Sequence, residues 1–264
     1  MKLITAAFLL IFAVVSCKES GQKKKELDPQ KIAIVEDLQN RVKQSPDSAS
    51  LRMQLINALD SLGMYKEAIA QTDSMILRDS LNNGLWFAKA QLLESNKDTA
   101  AAIQSYRRAI AIYPSIESQL SLANLYAETM EPKALLIVQT VSRMGLGREM
   151  DANCDFIAGV YNSRTGNHQQ AIMLFDRAIN NNYQLMEAYM EKGFVFYDTK
   201  KYTEALKVFQ TAITVNNMYA DAYYWQAKCY EALGNKDEAL INYQRALGLD
   251  KELKEARDAI ERLS

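Results

Sequence analysis

The chain has 264 residues, 48% hydrophobic and 24% charged, a composition that excludes an intrinsically disordered or collagen-like protein. Its 31 lysine and arginine residues are balanced by 32 aspartate and glutamate residues, which argues against a nucleic-acid partner because such partners require a basic excess. With 10 glycines and 4 prolines it has too few turn residues for an all-β protein, so a helical fold is expected.

The first predicted element is a signal peptide at residues 1–16. Lys2 precedes an apolar run from Leu3 to Val15, which is shorter than the roughly 20 residues that a membrane-spanning helix needs. The sequence VVSC, which ends at Cys17, resembles the lipobox of bacterial lipoproteins. This resemblance implies cleavage before Cys17, lipidation of that cysteine and a lipid-anchored location in the bacterial cell envelope, with the outer membrane expected. An ordinary signal peptide followed by a chance cysteine is the alternative, and whether the protein faces the periplasm or the cell exterior stays open.

A tether and a capping helix are predicted next. Residues 17–27 comprise Cys17 and the sequence KESGQKKKEL, which has little apolar surface to bury and is expected to be flexible. Residues 28–47 carry apolar side chains at helical spacing, namely Ile32, Val35, Leu38 and Val42. This pattern predicts an amphipathic helix that covers the N-terminal end of the fold.

An internal repeat occupies residues 48–252. The two clearest copies are EALKVFQTAI at 204–213 and EALINYQRAL at 238–247, and six such segments align on one alanine. The steps between successive alanines are 34, 32, 37, 34 and 34 residues. The alanine, the large residue four positions later and the small residue seven positions later lie on one stripe of a helix. The aligned residues are Ala68, Ala102, Ala134, Ala171, Ala205 and Ala239.

A second stripe of small residues lies before most of these segments. Its members are Ala90, Ala123, Gly159, Gly193 and Ala227. Polar sequences with turn residues, such as TGNH and TKKY, separate the two stripes, so each unit is predicted to be a helix, a short turn and a second helix. This repeat resembles the tetratricopeptide repeat family. The resemblance implies an all-α, right-handed α-solenoid of about six tandem helix-turn-helix units with capping helices at both ends.

The six predicted units, numbered 1 to 6 in chain order, are 48–81, 82–115, 116–148, 151–184, 185–218 and 219–252. Unit 1 departs most from the family pattern, because Ile56, Thr72 and Met75 occupy positions where small or aromatic residues are expected. The 37-residue step predicts a longer glycine-containing loop at residues 143–151. Residues 253–264 are predicted to form the C-terminal capping helix.

Few residues suit catalysis or metal binding. His168 is the only histidine and lies in the turn TGNH, where a solvated side chain is expected. Cys154 and Cys229 lie on first helices two units apart and are expected to be buried and unpaired. No metal-spaced cluster or phosphate-binding glycine loop appears in the sequence. The sequence therefore predicts a protein that is not an enzyme and uses no cofactor.

In the family that the chain resembles, first helices line a concave groove. Positions −3, +1, +4 and +5 relative to the small residue of each first helix predict one exposed stripe. The candidate groove residues form an aromatic strip with charged neighbours: Phe87, Phe156, Glu187, Met190, Glu191, Phe194, Tyr197, Asp198, Tyr224, Trp225, Lys228 and Glu231. Such rings are efficient anchors for a peptide, although they could instead pack between neighbouring helices.

These features predict a membrane-anchored scaffold or adaptor lipoprotein that binds another protein or peptide of the cell envelope in its concave groove. A peptide- or glycan-binding receptor is the alternative, and exposed rings around a well-formed pocket in units 5 and 6 would favour it. An enzyme would instead need a convergent polar cluster. Adaptor work on cell-wall hydrolases or surface machinery, which resembles what lipidated relatives do, is a third possibility.

Overall fold

A computed structural model describes residues 29–264 as fourteen helices without a strand, in agreement with the predicted all-α fold class. The helices are α1 (Pro29–Gln44), α2 (Ala49–Ser61), α3 (Tyr65–Ile76), α4 (Asn83–Ser95), α5 (Thr99–Ile112), α6 (Ile116–Glu128), α7 (Lys133–Ser142), α8 (Arg148–Arg164), α9 (His168–Asn181), α10 (Met186–Asp198), α11 (Tyr202–Val215), α12 (Ala220–Ala232), α13 (Lys236–Leu249) and α14 (Lys254–Leu263). No helix between residues 29 and 264 is long and apolar enough to cross a membrane. The predicted signal peptide, the lipidation of Cys17 and the tether lie outside the described residues.

The helices pair in chain order, one pair in each predicted unit. The first helices are α2, α4, α6, α8, α10 and α12, and the second helices are α3, α5, α7, α9, α11 and α13. Each first helix packs against the second helix of its own unit, and each second helix packs against the first helix of the next unit. Helix α1 packs on α2 and α14 packs on α13, so both occupy capping positions at the ends of the stack.

Small residues allow the two helices of a unit to approach closely. A Cβ atom added to Gly193 on α10 would lie 2.3 Å from Cε1 of Phe209 on α11. Gly159 on α8 faces Phe175 on α9 in the same way, with 2.6 Å to Cε1. The alanines on which the repeat aligns are fully buried, as are both rings. The repeated pattern of small and large residues is therefore a packing pattern.

Unit 1 fills the same position without a ring. Ile56 is buried where other units have a small residue, and Thr72 is buried where they have a large residue. The hydroxyl of Thr72 donates to the carbonyl oxygen of Ala68 at 2.9 Å, so this buried polar group is satisfied. The departures from the repeat pattern thus compensate for each other in volume.

The turn inside every unit contains one residue in the left-handed region. These residues have φ between 58° and 82°: Gly63, Lys97, Met130, Gly166, Lys200 and Gly234. Glycine adopts this conformation without strain, whereas for other residues it costs roughly 1 to 2 kcal/mol of conformational free energy. Three units therefore tolerate a lysine or a methionine at a position that favours glycine.

The prediction of a long loop at 143–151 is wrong in its extent. Helix α8 begins at Arg148, so the connection from α7 spans only residues 143–147. Helix α8 has 17 residues where α6 and α10 have 13, and this extra length accounts for the longer repeat step. Acidic side chains at Glu149 and Asp151 favour a helix start at this point. Helix α8 packs on both α6 and α7, so the stack is continuous here.

Candidate functional site

A cavity of about 330 Å³ lies where α8, α10 and α12 meet, and it contains half of the predicted groove residues. Its lining residues are Phe156, Glu187, Met190, Glu191, Phe194, Tyr219, Asp221 and Trp225. Tyr219 and Asp221 are not among the residues predicted from the sequence. Met190 differs from the prediction of an exposed stripe, because it is only 5% exposed and packs with Tyr189 and Phe209 in the apolar core beneath the cavity.

Trp225 is the centre of an aromatic cluster that joins units 5 and 6. Its ring centroid lies 4.7 Å from that of Phe194, 5.3 Å from that of Tyr197 and 5.8 Å from that of Tyr224. The buried ring of Phe209 lies 6.2 Å away. Trp225 and its first three neighbours are each half-buried. The rings therefore pack on one another between helices and also present part of their surface to solvent.

Arg164 connects three successive first helices beside this cavity. Its guanidinium donates to Glu128 on α6 at 2.8 Å through Nε and to Glu191 on α10 at 2.8 Å through Nη1. The hydrogen bond to Glu191 is the main reason that the pKa of Arg164 lies above its usual value. The charge of Glu191 is thus neutralised within the protein.

The other two carboxylates of the cavity have no such partner. Neither Glu187 nor Asp221 forms a salt bridge among the residues that the structure describes. Burial, and then the nearby carboxylate of Asp250, raises the pKa of Asp221. Burial, together with the charges of Asp221 and Glu187, raises the pKa of Tyr219. The cavity therefore has two negative charges without a cation, close to one phenol.

The first helices of units 3 to 6 are acidic as a group. Their acidic residues are Glu117, Glu128, Glu149, Asp151, Asp155, Glu187, Glu191, Asp198, Asp221 and Glu231. Their basic residues are Arg148, Arg164, Lys192 and Lys228. The second helices of the same units carry Asp176, Glu204, Asp237 and Glu238 against Lys133, Arg177, Lys207, Lys236 and Arg245. A nearly neutral chain therefore concentrates negative charge on one set of helices.

A second depression, of about 570 Å³, lies between α6 and α8. Its lining residues are Ile116, Glu117, Leu120, Ser121, Asn124, Met150, Asn153, Phe156 and Ile157. Phe156 lines both depressions, so the two adjoin. We call the surface that contains them, formed by α6, α8, α10 and α12, the α6–α12 groove. It is mainly apolar between α6 and α8 and is aromatic and acidic between α8 and α12.

The other six predicted residues line neither depression. Phe87 lies on α4, where its ring packs 5.5 Å from that of Tyr106. Asp198 is exposed at the end of α10, and Lys228 is half-buried on α12. Glu231 lies on α12, where other residues of the chain bind its carboxylate. Tyr197 and Tyr224 also lie outside the cavity linings, but they touch the groove through Trp225.

Glu231 differs from the prediction of an exposed groove residue. Its carboxylate accepts a hydrogen bond from the hydroxyl of Tyr243 at 2.8 Å and pairs with Arg262 at 2.7 Å. The hydrogen bond from Arg262 is the main reason that the pKa of Glu231 lies below its usual value. This side chain therefore attaches the C-terminal capping helix to unit 6.

The remaining reactive side chains lie apart from the groove linings. Cys154 and Cys229 are buried and free, and burial raises the pKa of Cys154 to about 11 and that of Cys229 to about 12. His168 is exposed at the start of α9. Among residues 29–264, no group of three or more histidine, cysteine, aspartate or glutamate side chains is arranged to hold a metal ion.

The stack of paired helices defines a helical repeat protein, and comparison with known sequences identifies the repeat. Tetratricopeptide repeat models match residues 53–115, 193–234 and 220–253. "Tetratricopeptide repeat protein 1" of Schizosaccharomyces pombe is 25% identical over 219 residues, which cover 74% of this chain. The chain spans about a fifth of the length of that curated relative, 20%.

Solved structures show the same fold. A tetratricopeptide repeat protein from Parabacteroides merdae is similar with a TM-score of 0.71 and 15% identity, covering 88% of this chain and 92% of that one. PilW, described as a widely conserved type IV pilus biogenesis factor, is similar with a TM-score of 0.62 and 17% identity, covering 80% of this chain and 97% of that one. The protein therefore has an all-α tetratricopeptide repeat fold, which confirms the predicted fold class. Proteins with these repeats generally serve as protein-binding scaffolds or adaptors.

Proposed function

We propose that this protein is a scaffold or adaptor that binds a protein or peptide partner along the α6–α12 groove, and that it works as a lipid-anchored protein of the bacterial cell envelope. The observation that carries the binding proposal is the pair of adjoining depressions, which share Phe156. Concave surfaces with apolar linings and a few polar groups are the usual places where proteins bind ligands.

The composition of the groove supports a macromolecular partner. Tryptophan and tyrosine are the residue types that dominate binding energy at protein interfaces, and Trp225, Tyr219 and Phe194 lie together in this cavity. Each of these rings is held by packing against neighbouring helices. A ring that is already fixed loses little conformational entropy when a partner binds.

The arrangement of the rings favours a protein or peptide over a glycan. Tyr197 and Tyr224 stand nearly perpendicular to the ring of Trp225, at 80° and 86°, and Phe194 is tilted against it at 56°. In the two perpendicular pairs the edge of one ring lies against the face of the other, so ring faces are covered within the cluster. A glycan receptor would need an open ring face on which a sugar could stack.

A non-catalytic role is part of the proposal. A nucleophile needs an accessible and activated side chain, whereas Cys154 and Cys229 are buried and remain protonated at neutral pH. His168 is not among the residues that line either depression of the groove. The work that we assign to the protein is recognition.

The groove is tested by site-specific photocrosslinking in cells that produce the full chain. A photoreactive phenylalanine analogue replaces Glu117, which is exposed in the depression between α6 and α8, or Thr211, which is exposed on the second helix α11. We expect a discrete protein adduct from position 117 and none from position 211. Adducts from position 211 alone would place the binding surface on the second helices and contradict the proposal.

The anchor is tested separately. The sequence VVSC after the apolar run motivates it, and Cys17→Ser should abolish acyl labelling and release the protein from the membrane fraction. Unchanged acyl labelling and membrane retention of Cys17→Ser would overturn the anchoring part of the proposal without affecting the groove.

A further inference from the structure

We infer that the cavity between α8, α10 and α12 takes a lysine or arginine side chain of the partner, while the adjoining depression between α6 and α8 takes a large apolar side chain of the same partner. The inference rests on the proposed function of the α6–α12 groove. It adds the chemistry of the segment that the groove recognises.

The negative charges of the cavity are complementary to a basic side chain of a partner. Glu187 and Asp221 begin two successive first helices and contribute negative charges that no cation of the described residues neutralises. Glu191 shows the contrast, because Arg164 already satisfies it at 2.8 Å. Glu187 and Asp221 are both exposed, so a partner's ammonium or guanidinium group can reach them and pair with them.

The aromatic residues that line the same cavity also suit a lysine or arginine side chain. Phe156, Phe194, Tyr219 and Trp225 line it together with the two carboxylates. The carboxylates attract a cation directly, and the aromatic rings can pack against the apolar stem of a lysine or arginine side chain. Its volume of about 330 Å³ suits one long side chain rather than a folded element. An anionic or purely apolar side chain would leave the two charges unpaired.

The adjoining depression between α6 and α8 suits a large apolar side chain. Its apolar lining residues include Ile116, Leu120, Met150 and Ile157. Phe156 lines both this depression and the acidic cavity, so a single side chain lies between them. Successive side chains on one face of an extended segment lie two residues apart. One short segment with a large apolar residue near a basic residue can therefore fill both depressions.

Helix electrostatics offers a competing explanation for the two carboxylates. Glu187 and Asp221 occupy the first turns of their helices, where the helix dipole stabilises negative charge without any ligand. The chain provides a matched control, because Glu204 and Asp237 occupy the first turns of the second helices α11 and α13. Neutralising either pair removes the same charge from the same kind of position.

The experiment uses a phage-displayed library of random dodecapeptides, selected on the full chain. We expect the selected peptides to be enriched in a lysine or arginine near a large apolar residue. For a selected peptide, Glu187→Gln with Asp221→Asn should weaken binding about tenfold, whereas Glu204→Gln with Asp237→Asn should leave it unchanged. Replacing the peptide's lysine by norleucine should give a similar loss, and replacing it by arginine should not.

The outcomes separate the inference from the proposed function. Peptides that need Trp225 for binding but carry no basic residue, or that bind equally well to the Glu187→Gln, Asp221→Asn variant, overturn the cationic assignment and leave the groove in place. Selected peptides that are insensitive to both Trp225→Ala and Leu120→Ala overturn the inference and the groove together. Circular dichroism and thermal unfolding verify that each variant is folded.

Discussion

Units 5 and 6 fill the same packing position in two different ways. In unit 5, Gly193 leaves room for the ring of Phe209, which a Cβ atom would approach to 2.3 Å. In unit 6 the small residue is alanine, and the ring is Tyr243, whose hydroxyl donates to Glu231 at 2.8 Å. Units 4 and 2 repeat these two arrangements, with Phe175 opposite Gly159 in one and the hydroxyl of Tyr106 bonded to a glutamate in the other.

The choice between phenylalanine and tyrosine at this position determines which side chains of the first helix are available for binding. The residue four positions after the small one is Glu231 in unit 6, where it holds the tyrosine hydroxyl and Arg262. In unit 5 the corresponding residue is Tyr197. Phe209 has no hydroxyl group with which to form a hydrogen bond to it, and the ring centroid of Tyr197 lies 5.3 Å from that of Trp225 beside the groove. A glycine and phenylalanine pair thus leaves a first-helix position available for the groove cluster.

Removing the ring of unit 5 should have the largest effect on stability. Phe209 is fully buried and touches Phe194 and Trp225. We expect Phe209→Ala to lower the free energy of unfolding by about 3 to 5 kcal/mol. Urea denaturation followed by circular dichroism measures this. Phe209→Leu is the control and should cost less, and an equal cost would show that the ring fits no specific space.

Exchanging the small residues should have the next largest effect. Gly193→Ala adds a methyl group where Phe209 leaves no room, and we expect a loss of about 1 to 3 kcal/mol despite the better helix propensity of alanine. The reverse change in unit 6, Ala227→Gly, should cost about 1 kcal/mol. Combining Gly193→Ala with Phe209→Leu should recover part of the first loss. Stabilisation by Gly193→Ala alone would contradict the packing of unit 5.

Substitutions in the turns within units 5 and 6 should change stability by a smaller amount, and in opposite directions in the two units. Lys200 in unit 5 has φ of 61°, and Gly234 at the equivalent place in unit 6 has φ of 81°. Lys200→Gly should stabilise the protein by about 1 kcal/mol, and Gly234→Ala should destabilise it by a similar amount, because only glycine adopts this region without strain. Thermal unfolding of the two variants should therefore shift the midpoint in opposite directions.

The ion pair between Glu231 and Arg262 in unit 6 predicts that the stability of the protein depends on pH. The folded pKa of Glu231 lies below its unfolded value, so its contribution is present at neutral pH and is lost as the pH falls through the lowered pKa. Arg262→Gln should therefore reduce the midpoint of thermal unfolding at neutral pH, and the difference from wild type should vanish in acid. A difference that stays constant with pH would show that Arg262 acts through packing.

The fold was predictable because each unit repeats the same packing problem. Buried alanines at nearly constant steps require the same helix pair each time, and the pairs follow from that spacing. The start of α8 was not predictable in this way. Gly145 and Gly147 indicate a loop, but the acidic residues that follow them begin the helix instead.

The groove was only partly predictable. Asp221 lies six residues before Ala227, as Glu187 lies six residues before Gly193, so extending that one offset across the units would have found it. Glu231 was predicted to be a groove residue because nothing in the repeat indicates that Arg262 reaches it from the capping helix. Long-range partners of this kind depend on the ends of the stack, where the repeat pattern stops.

Binding of a partner beside Trp225 can be measured directly, because the chain has two tryptophans and only Trp225 lines the groove. Trp86 lies on α4, where its indole N–H donates to the carbonyl oxygen of Ser80 at 3.0 Å, away from the groove linings. Tryptophan fluorescence is followed while a selected peptide is titrated into Trp86→Phe, which retains Trp225, and into Trp225→Phe, which retains Trp86. We expect a saturable change in emission from Trp86→Phe and none from Trp225→Phe. A change seen only in the protein that retains Trp86 would contradict binding beside Trp225.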